Sequence, residues 1–367
     1  MAARSHAPDY VFIGGIALIT VFGLVMLASA TSAIGFEKFG DTYYFLKRQL
    51  LYGFLPGIVA FFVCLRLPYA FFRKSRVIFF MCALALLLLV LMVGVSFGRT
   101  QSWLMFGGFS FQPAEIAKVA LILFLAGWLD VRRGEMVQTI RQGVLPFLCI
   151  VGTVAVLLAL QPDIGTLAVV LAIAFGMFFA AGARWKHIAV MGIVGIIVFG
   201  ALVASAPYRV QRFTTFLHPE FDPQGAGYQI NQAFLAIGTG GWTGVGLGHS
   251  RQKFQYLPEV ASDSIFAVIA EELGFVVAAG LVVLLVLVWL RMLRIARAAP
   301  DTFGRLTVFG IAMWFITQSW LNIGAMVGLL PLTGLPLPMV SHGGTALLAA
   351  LLGAGIVARI SQFTKQV

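Results

Sequence analysis

Asp263 is the side chain best placed for chemistry. It closes a long polar stretch, follows Glu259 by four residues and precedes the apolar run Ile265-Phe266-Ala267-Val268-Ile269-Ala270. A carboxylate at the edge of such a run is partly desolvated, and a second carboxylate one helical turn away opposes its ionisation, so both effects raise its pKa. A carboxylate tuned in this way serves as a general base. A plainer role is also open, because Ser262 or Asp263 can cap the helix that the apolar run begins. Glu115 and Lys118 lie three residues apart, on one face of a helix, where they can pair. Ionisable groups inside an apolar span are costly and point to function. The two therefore form either a structural pair or a pair in which Lys118 also faces an anion such as a diphosphate. Asp163, in Gln161-Pro162-Asp163-Ile164-Gly165-Thr166, caps the next helix or lines a polar cavity. Glu271 and Glu272 fall two to three turns inside an apolar segment, where at least one needs a Lys or Arg partner.

Other chemistries find no constellation. The five histidines, His6, His187, His218, His249 and His342, have no second ligand at metal spacing. His342 reads as a packed or hydrogen-bonded residue, with catalysis the less favoured role. Cys64, Cys82 and Cys149 all sit in apolar runs and read as small hydrophobes. The glycines of Ile237 to Gly248 match neither a dinucleotide fingerprint nor a phosphate-binding loop. They suggest tight backbone packing in short interfacial or re-entrant helices, and no ATP-driven pump.

The elements that must hold these residues follow from composition. Of the 367 residues 60% are hydrophobic without counting 40 glycines, and 11% are charged. A soluble domain has about 25% charged residues, so this chain cannot build a water-facing shell and reads as an integral membrane protein. Runs of about 20 apolar residues give ten spans: 10–31, 49–65, 77–96, 113–129, 144–160, 165–182, 188–206, 266–290, 306–327 and 342–360. The end of the spans that holds both termini has sixteen Lys and Arg against eight at the other, which makes the termini cytoplasmic. The net charge of +11 is then a matter of topology and lipid headgroups, not of nucleic acid. Glu37, Asp41, Asp163, Glu220, Asp222, Glu259 and Asp263 gather toward the outer face, so chemistry is expected there. The expected fold class is all-α: a polytopic membrane protein with ten transmembrane helices, cytoplasmic N- and C-termini, and one long extracytoplasmic loop, 207–263, between helices 7 and 8. Residues 1–367 form a single membrane domain on this reading. Three prolines in Gly328 to Pro338 forbid a regular helix there. Apolar backbone of that kind must be buried in protein or line a cavity.

Taken together, several blocks resemble the SEDS family (shape, elongation, division and sporulation) of bacterial cell-wall polymerases. They are Phe111-Gln112-Pro113-Ala114-Glu115-Ile116-Ala117-Lys118, Gln161 to Thr166, Gly227-Tyr228-Gln229, Ala236 to Gly241, Gln252 to Glu259, Asp263 to Gly274, and Asn322-Ile323-Gly324 through Thr345. They run in order over essentially the whole chain, and Gln252-Lys253 with Tyr256-Leu257-Pro258-Glu259 is more similar to the division type than to the elongation type. The resemblance implies a multi-pass protein of the bacterial cytoplasmic (inner) membrane, at the division septum. It would be a peptidoglycan glycosyltransferase that polymerises lipid II, the undecaprenyl-diphosphate-linked disaccharide pentapeptide, with inversion on the outer face. The family's essential loop aspartate aligns with Asp263, which would take the proton from the acceptor sugar. Ala261-Ser262-Asp263-Ser264 stands where the family commonly has His-Thr-Asp-Phe, and Ser341-His342-Gly343-Gly344-Thr345 where it has Ser-Tyr-Gly-Gly-Ser. The acid and the glycines are kept and their neighbours changed.

Substrate contacts are expected from Glu115, Lys118, Asp163, Arg209, Arg212, Lys253, Glu259, Ser341 and His342. Lys118, Lys253, Arg209 and Arg212 are the candidates to steady the departing diphosphate, although Arg209 and Arg212 serve equally as headgroup anchors. The sequence assigns no cofactor. A divalent cation, Mg2+ or Mn2+, would suit the diphosphate, but no ligand set marks one. The implied partners are lipid II, a class B penicillin-binding protein that cross-links the glycan, other division proteins and membrane lipids. Two alternatives remain: a flippase for the same lipid-linked precursor, kept alive by Glu115, Lys118, Glu271 and Glu272, and a non-catalytic scaffold of a division complex. Small-residue faces at Gly280 or at Gly353 and Gly355 can pack helices internally or against a partner.

Overall fold

The computed structural model describes residues 6–97, 100–132, 134–204, 207–218, 227–254 and 256–364. Helix α1 (Tyr10–Ala30) starts at Asp9, whose side chain accepts from the Phe12 amide at 2.9 Å. Its buried residues Phe12, Ile16, Ile19, Gly23, Met26 and Ala30 recur every three or four positions, while Val11, Leu18, Val21 and Val25 point outward. An exposed face as apolar as the buried one suits lipid, not water. A short α2 (Ser32–Phe39) leads to α3 (Tyr44–Arg66), which has a π turn over Leu50–Phe54. Next, α4 (Tyr69–Val93) begins earlier than its charges suggested, because Arg73 pairs with Asp130 and, at 3.5 Å, with Asp301.

Residues 95–111 depart from the expected all-α fold. They form β1 (Val95–Phe97), β2 (Thr100–Phe106) and β3 (Phe109–Phe111), an antiparallel sheet in the order β1-β2-β3. Gly107 and Gly108, at φ 52° and 83°, make the two-residue turn between Phe106 and Phe109. The chain continues through α5 (Pro113–Val131), α6 (Ile140–Leu160), α7 (Ile164–Ala180) and α8 (Trp185–Ala204). Then come α9 (Pro207–Leu217), α10 (Tyr228–Gly240), α11 (Ile265–Ala298), α12 (Thr302–Met326) and α13 (Gly344–Ser361).

Each expected span overlaps a helix. Seven of them, α1, α3, α4, α6, α11, α12 and α13, are long and apolar enough to cross a membrane by length and composition. Helix α7 and the Trp185–Val198 part of α8 are apolar but shorter, and α5 carries Glu115, Lys118 and Asp130. The long stretch before Asp263 contains two helices of its own, α9 and α10.

The eighth expected span, 266–290, is a correction. Helix α11 breaks at Gly274, where φ is 76° and ψ 178°. A Cβ there would sit 2.3 Å from the Gly244 nitrogen, and one on Gly244 would sit 2.2 Å from the Glu272 carbonyl. Only glycines allow these two backbones to touch. The carbonyls freed by the break accept from Val245 and Gly246 amides at 3.0 and 2.9 Å. This is the close backbone packing that the glycine run suggested.

Helices α5, α12 and α13 form the interior, with Trp314, Leu121 and Ile122 among the largest fully buried side chains. Small residues let α13 approach α3: a Cβ on Gly57 would meet Leu351 at 2.7 Å, and one on Gly355 the Phe61 carbonyl at 2.7 Å. Gly353 faces Trp314, so both α13 glycines pack internally, whereas Gly280 opens onto free space. All three cysteines are free thiols.

Candidate functional site

The site is assembled around the turn that enters α11. Glu259, at φ 52°, bends the chain, and its carbonyl accepts from the Ser262 and Ser264 amides at 3.0 and 3.2 Å. Ser264 is the N-cap of α11 and its side chain makes no capping bond. Asp263 is therefore not the cap, and the plainer role considered for it fails. Its side chain is buried, 7% exposed, and Oδ1 accepts from the Gln229 amide of α10 at 3.2 Å. The same Gln229 nitrogen donates to Ser264 Oγ at 3.0 Å. From α12, the Asn322 amide donates at 2.8 Å to the Asp263 carbonyl and at 2.8 Å to that of Leu335. Two separate segments, α10 and α12, thus hold one acidic residue.

The proline-containing segment is the floor of this arrangement. Leu335, Leu337, Met339 and Val340 are buried. A Cβ on Gly165 would meet the Thr333 carbonyl at 2.7 Å, and one on Gly23 the Met339 carbonyl at 2.5 Å. The segment therefore passes between α7, α12 and α1, buried in protein as its composition required. Ser341 Oγ accepts from the Leu337 amide at 2.8 Å and folds the segment back on itself. His342 donates its backbone amide to the Ala261 carbonyl at 2.7 Å, and its ring meets Phe45 edge-on at 5.4 Å. Gln49 holds the same turn, with Oε1 accepting from the Gly343 amide at 2.9 Å. Burial first, then the neighbouring Arg48 guanidinium, push the His342 imidazole down to about 4. A neutral, packed ring is the reading this supports.

Glu115 and Lys118 lie elsewhere in the interior. Their side chains are 1% and 0% exposed and 2.9 Å apart. Lys118 also donates to Gln318 Oε1 at 2.7 Å and sits 4.7 Å from the centre of the Trp314 ring. Gln318 in turn donates to the Pro336 carbonyl at 2.9 Å. A fully enclosed ammonium with these partners does not reach a substrate, so the structural pairing holds and the diphosphate contact does not.

Lys253 is corrected for the same reason. Its side chain is 1% exposed, and it donates to Glu272 at 2.9 Å and to the Gly248 and Ser29 carbonyls at 2.8 and 3.3 Å. Glu271 accepts from the Ser250 hydroxyl and, at 2.9 Å, from the Arg251 amide. The two acids therefore clamp the loop to the end of the first part of α11. They are not charges lodged within a continuous span.

Asp163 does cap α7, accepting from the Thr166 amide at 3.1 Å, and its Oδ2 accepts from Gln112 at 3.3 Å. Glu259 is exposed and accepts from the Ser262 hydroxyl at 2.9 Å. The side chains of Arg209 and Arg212, on α9, lie outside the described residues, as do Glu220 and Asp222. Among the described residues no three His, Cys, Asp or Glu side chains gather at metal-ligand distance.

Sequence reasoning passed over four contributors. Gln229, Asn322 and Gln318 are uncharged, so the cost of burying a charge does not single them out; amides spaced four apart in the apolar α12 were the available signal. Arg48 lies just outside a span, where topology alone accounts for a basic residue. With Lys47, Tyr44 and Tyr52 it lines a cavity of about 380 Å³.

Known proteins can now be set beside this geometry. Residues 10–366 match the FtsW, RodA and SpoVE family model, described as cell cycle protein. Stage V sporulation protein E of Bacillus subtilis is 40% identical, with all of both chains covered. The probable peptidoglycan glycosyltransferase FtsW of a Geobacter species is 38% identical over 98% of each. Among solved structures, a chain from a study of how a peptidoglycan synthase complex coordinates polymerization and crosslinking superposes with a TM-score of 0.81. It is 30% identical over 98% of this chain and 99% of that one. The rod shape determining protein RodA of Thermus thermophilus gives 0.73 at 29% identity, covering 98% of this chain and 99% of its own.

Proposed function

We infer the function from one premise: the chain belongs to the FtsW, RodA and SpoVE family. It is a multi-pass membrane protein and a peptidoglycan glycosyltransferase. Our reading gives it ten spans with cytoplasmic termini in a single membrane domain, and places the Asp263 end on the outer face of the bacterial cytoplasmic membrane. Lipid II is the substrate, polymerised during division at the septum. The observation that carries this reading is Asp263, which caps no helix yet has its carboxylate held from α10 and its backbone carbonyl held from α12.

In the reaction Asp263 takes the proton from the 4-hydroxyl of the acceptor sugar. The freed oxygen pair forms a bond to the anomeric carbon of the donor as the bond from that carbon to the diphosphate breaks. The diphosphate leaves on its lipid and the configuration inverts. Gln229, which donates to Asp263 Oδ1, orients the carboxylate for this transfer. Lys118 and Lys253 are committed elsewhere, so the departing charge falls to Arg209 and Arg212, to which we add Arg48 and Lys47. Lys47 is 67% exposed and pairs with Asp41 at 2.7 Å, a surface pair that opens at little cost. A divalent cation, when bound, would supply further neutralisation of the departing diphosphate.

A flippase loses its support in the interior, since Glu115 and Lys118 are enclosed and Glu271 and Glu272 hold a loop. A single-span class B penicillin-binding protein fits the α11 face at Gly280, where Val276, Val283 and Leu287 are exposed. The test is purified protein with lipid II, with and without such a partner. Glycan ladders from the wild type that vanish in Asp263→Ala support the polymerase. Translocation of lipid II in liposomes without ladders would replace it with the flippase, and neither activity would leave a scaffold.

A further inference from the structure

The end of the bundle that holds both termini has a site that the polymerase reading leaves unused. A cavity of about 680 Å³ opens there between the start of α1, the last turns of α11 and the end of α13. One wall carries Arg291, Arg294 and Arg297, spaced three apart so that all three face it. The opposite wall is fixed in place. The His6 amide donates to the Gln362 carbonyl at 2.9 Å and the Asp9 amide to Ser361 Oγ at 3.0 Å. Asp9 also accepts from Arg291 Nε at 2.8 Å.

The charges do not balance. Asp9 neutralises Arg291, whereas Arg294 and Arg297 are exposed and have no acidic partner among the described residues. Membrane orientation asks for basic residues at this end but not for three of them along one wall of a cavity. The rim is of a different kind. Tyr10 and Val11, both lining the cavity, are 70% and 68% exposed on the outward face of α1. That face is apolar and continues along the helix through Leu18 and Val21. Two uncompensated guanidiniums beside an aromatic and an apolar lipid-facing surface match a phosphodiester headgroup with its acyl chains attached.

We propose that this cavity binds the phosphate of an anionic phospholipid, with Arg294 and Arg297 on the headgroup and the chains lying along Tyr10 and Val11. The assignment does not depend on the role of Asp263. Native mass spectrometry of the purified full chain in neutral detergent, titrated with cardiolipin, phosphatidylglycerol, phosphatidylcholine or inorganic phosphate, tests it. The anionic lipids should be retained in preference to phosphatidylcholine. Arg294→Gln with Arg297→Gln should weaken that retention by a factor of about 30, from the contribution of two basic side chains at a membrane surface. Arg294→Lys with Arg297→Lys should keep most of it, and serves as the comparison if the glutamine pair fails to fold. Equal retention by wild type and the glutamine pair, or no preference over phosphatidylcholine, overturns the proposal. Displacement of the lipid by inorganic phosphate at equal concentration would show a free-anion site and overturn the lipid assignment.

Discussion

Asp263 and the Glu115–Lys118 pair lean on the same proline-containing segment, through side chains one turn apart on α12. Asn322 reaches the Leu335 carbonyl and Gln318 the Pro336 carbonyl, each at a distance near 2.9 Å or below. The two ends of this shared support are built for different ends. Lys118 meets Glu115, Gln318 and the Trp314 ring with no exposed surface, so its charge is matched and enclosed. Asp263, 7% exposed, accepts from the Gln229 amide on its carboxylate and from the Asn322 amide on its backbone carbonyl. A charge inside an apolar helix is therefore a poor guide to the reacting group unless its partners are known.

The comparison can be broken in order of expected effect. Lys118→Met leaves Glu115 buried without its cation and should destabilise the protein by about 3–5 kcal/mol. Adding Glu115→Gln should recover most of that loss, as seen in the unfolding temperature of the double variant. Recovery of nothing would mean that Lys118 has another anionic partner. Next comes Asn322→Ala, which strands the Asp263 and Leu335 carbonyls and should cost about 1–3 kcal/mol for each buried group left unpaired. Because Asn322 positions Asp263, polymerisation by the surviving fold should slow as well. Full activity with lowered stability would restrict Asn322 to a packing role.

His342 supplies a pH test between the two regions. Its imidazole is held near 4 in the fold, below its usual value of 6.5, so the neutral ring is the one the structure favours. That contribution is whole above about pH 6.5 and is lost as the pH falls toward 4. Unfolding temperatures measured across this window should drop in the wild type and drop less in His342→Gln. The smallest effect is expected at Glu259→Gln, an exposed position, where stability should change by less than about 0.5 kcal/mol. A large loss of activity there would bring Glu259 into the chemistry.

Much of this was legible in the amino-acid order. Apolar run lengths placed a helix under each expected span, and the three prolines announced the buried irregular segment. Asp263 stood out because it is charged and borders an apolar run. Other features depend on contacts between residues far apart in the chain. The break at Gly274 exists because Gly244 presses against it, and no local pattern separates that glycine from Gly280, which opens onto space. Lys253 looked free for substrate until Glu272 and Ser29 were brought beside it. Gln229 and Asn322 carry no charge, and their role is visible only when α10 and α12 converge on one turn. The hairpin at Gly107 and Gly108 was readable from two glycines between phenylalanines, but a search for spans treats the whole stretch as a connection.

The most direct test is Asp263→Asn, which keeps the size of the side chain and removes its basicity. Ladder formation from lipid II should fall by at least about a hundredfold, with the unfolding temperature unchanged, whereas Asp263→Glu should retain part of the rate. Ladders of normal yield from a folded Asp263→Asn protein would contradict the assignment of Asp263 as the base.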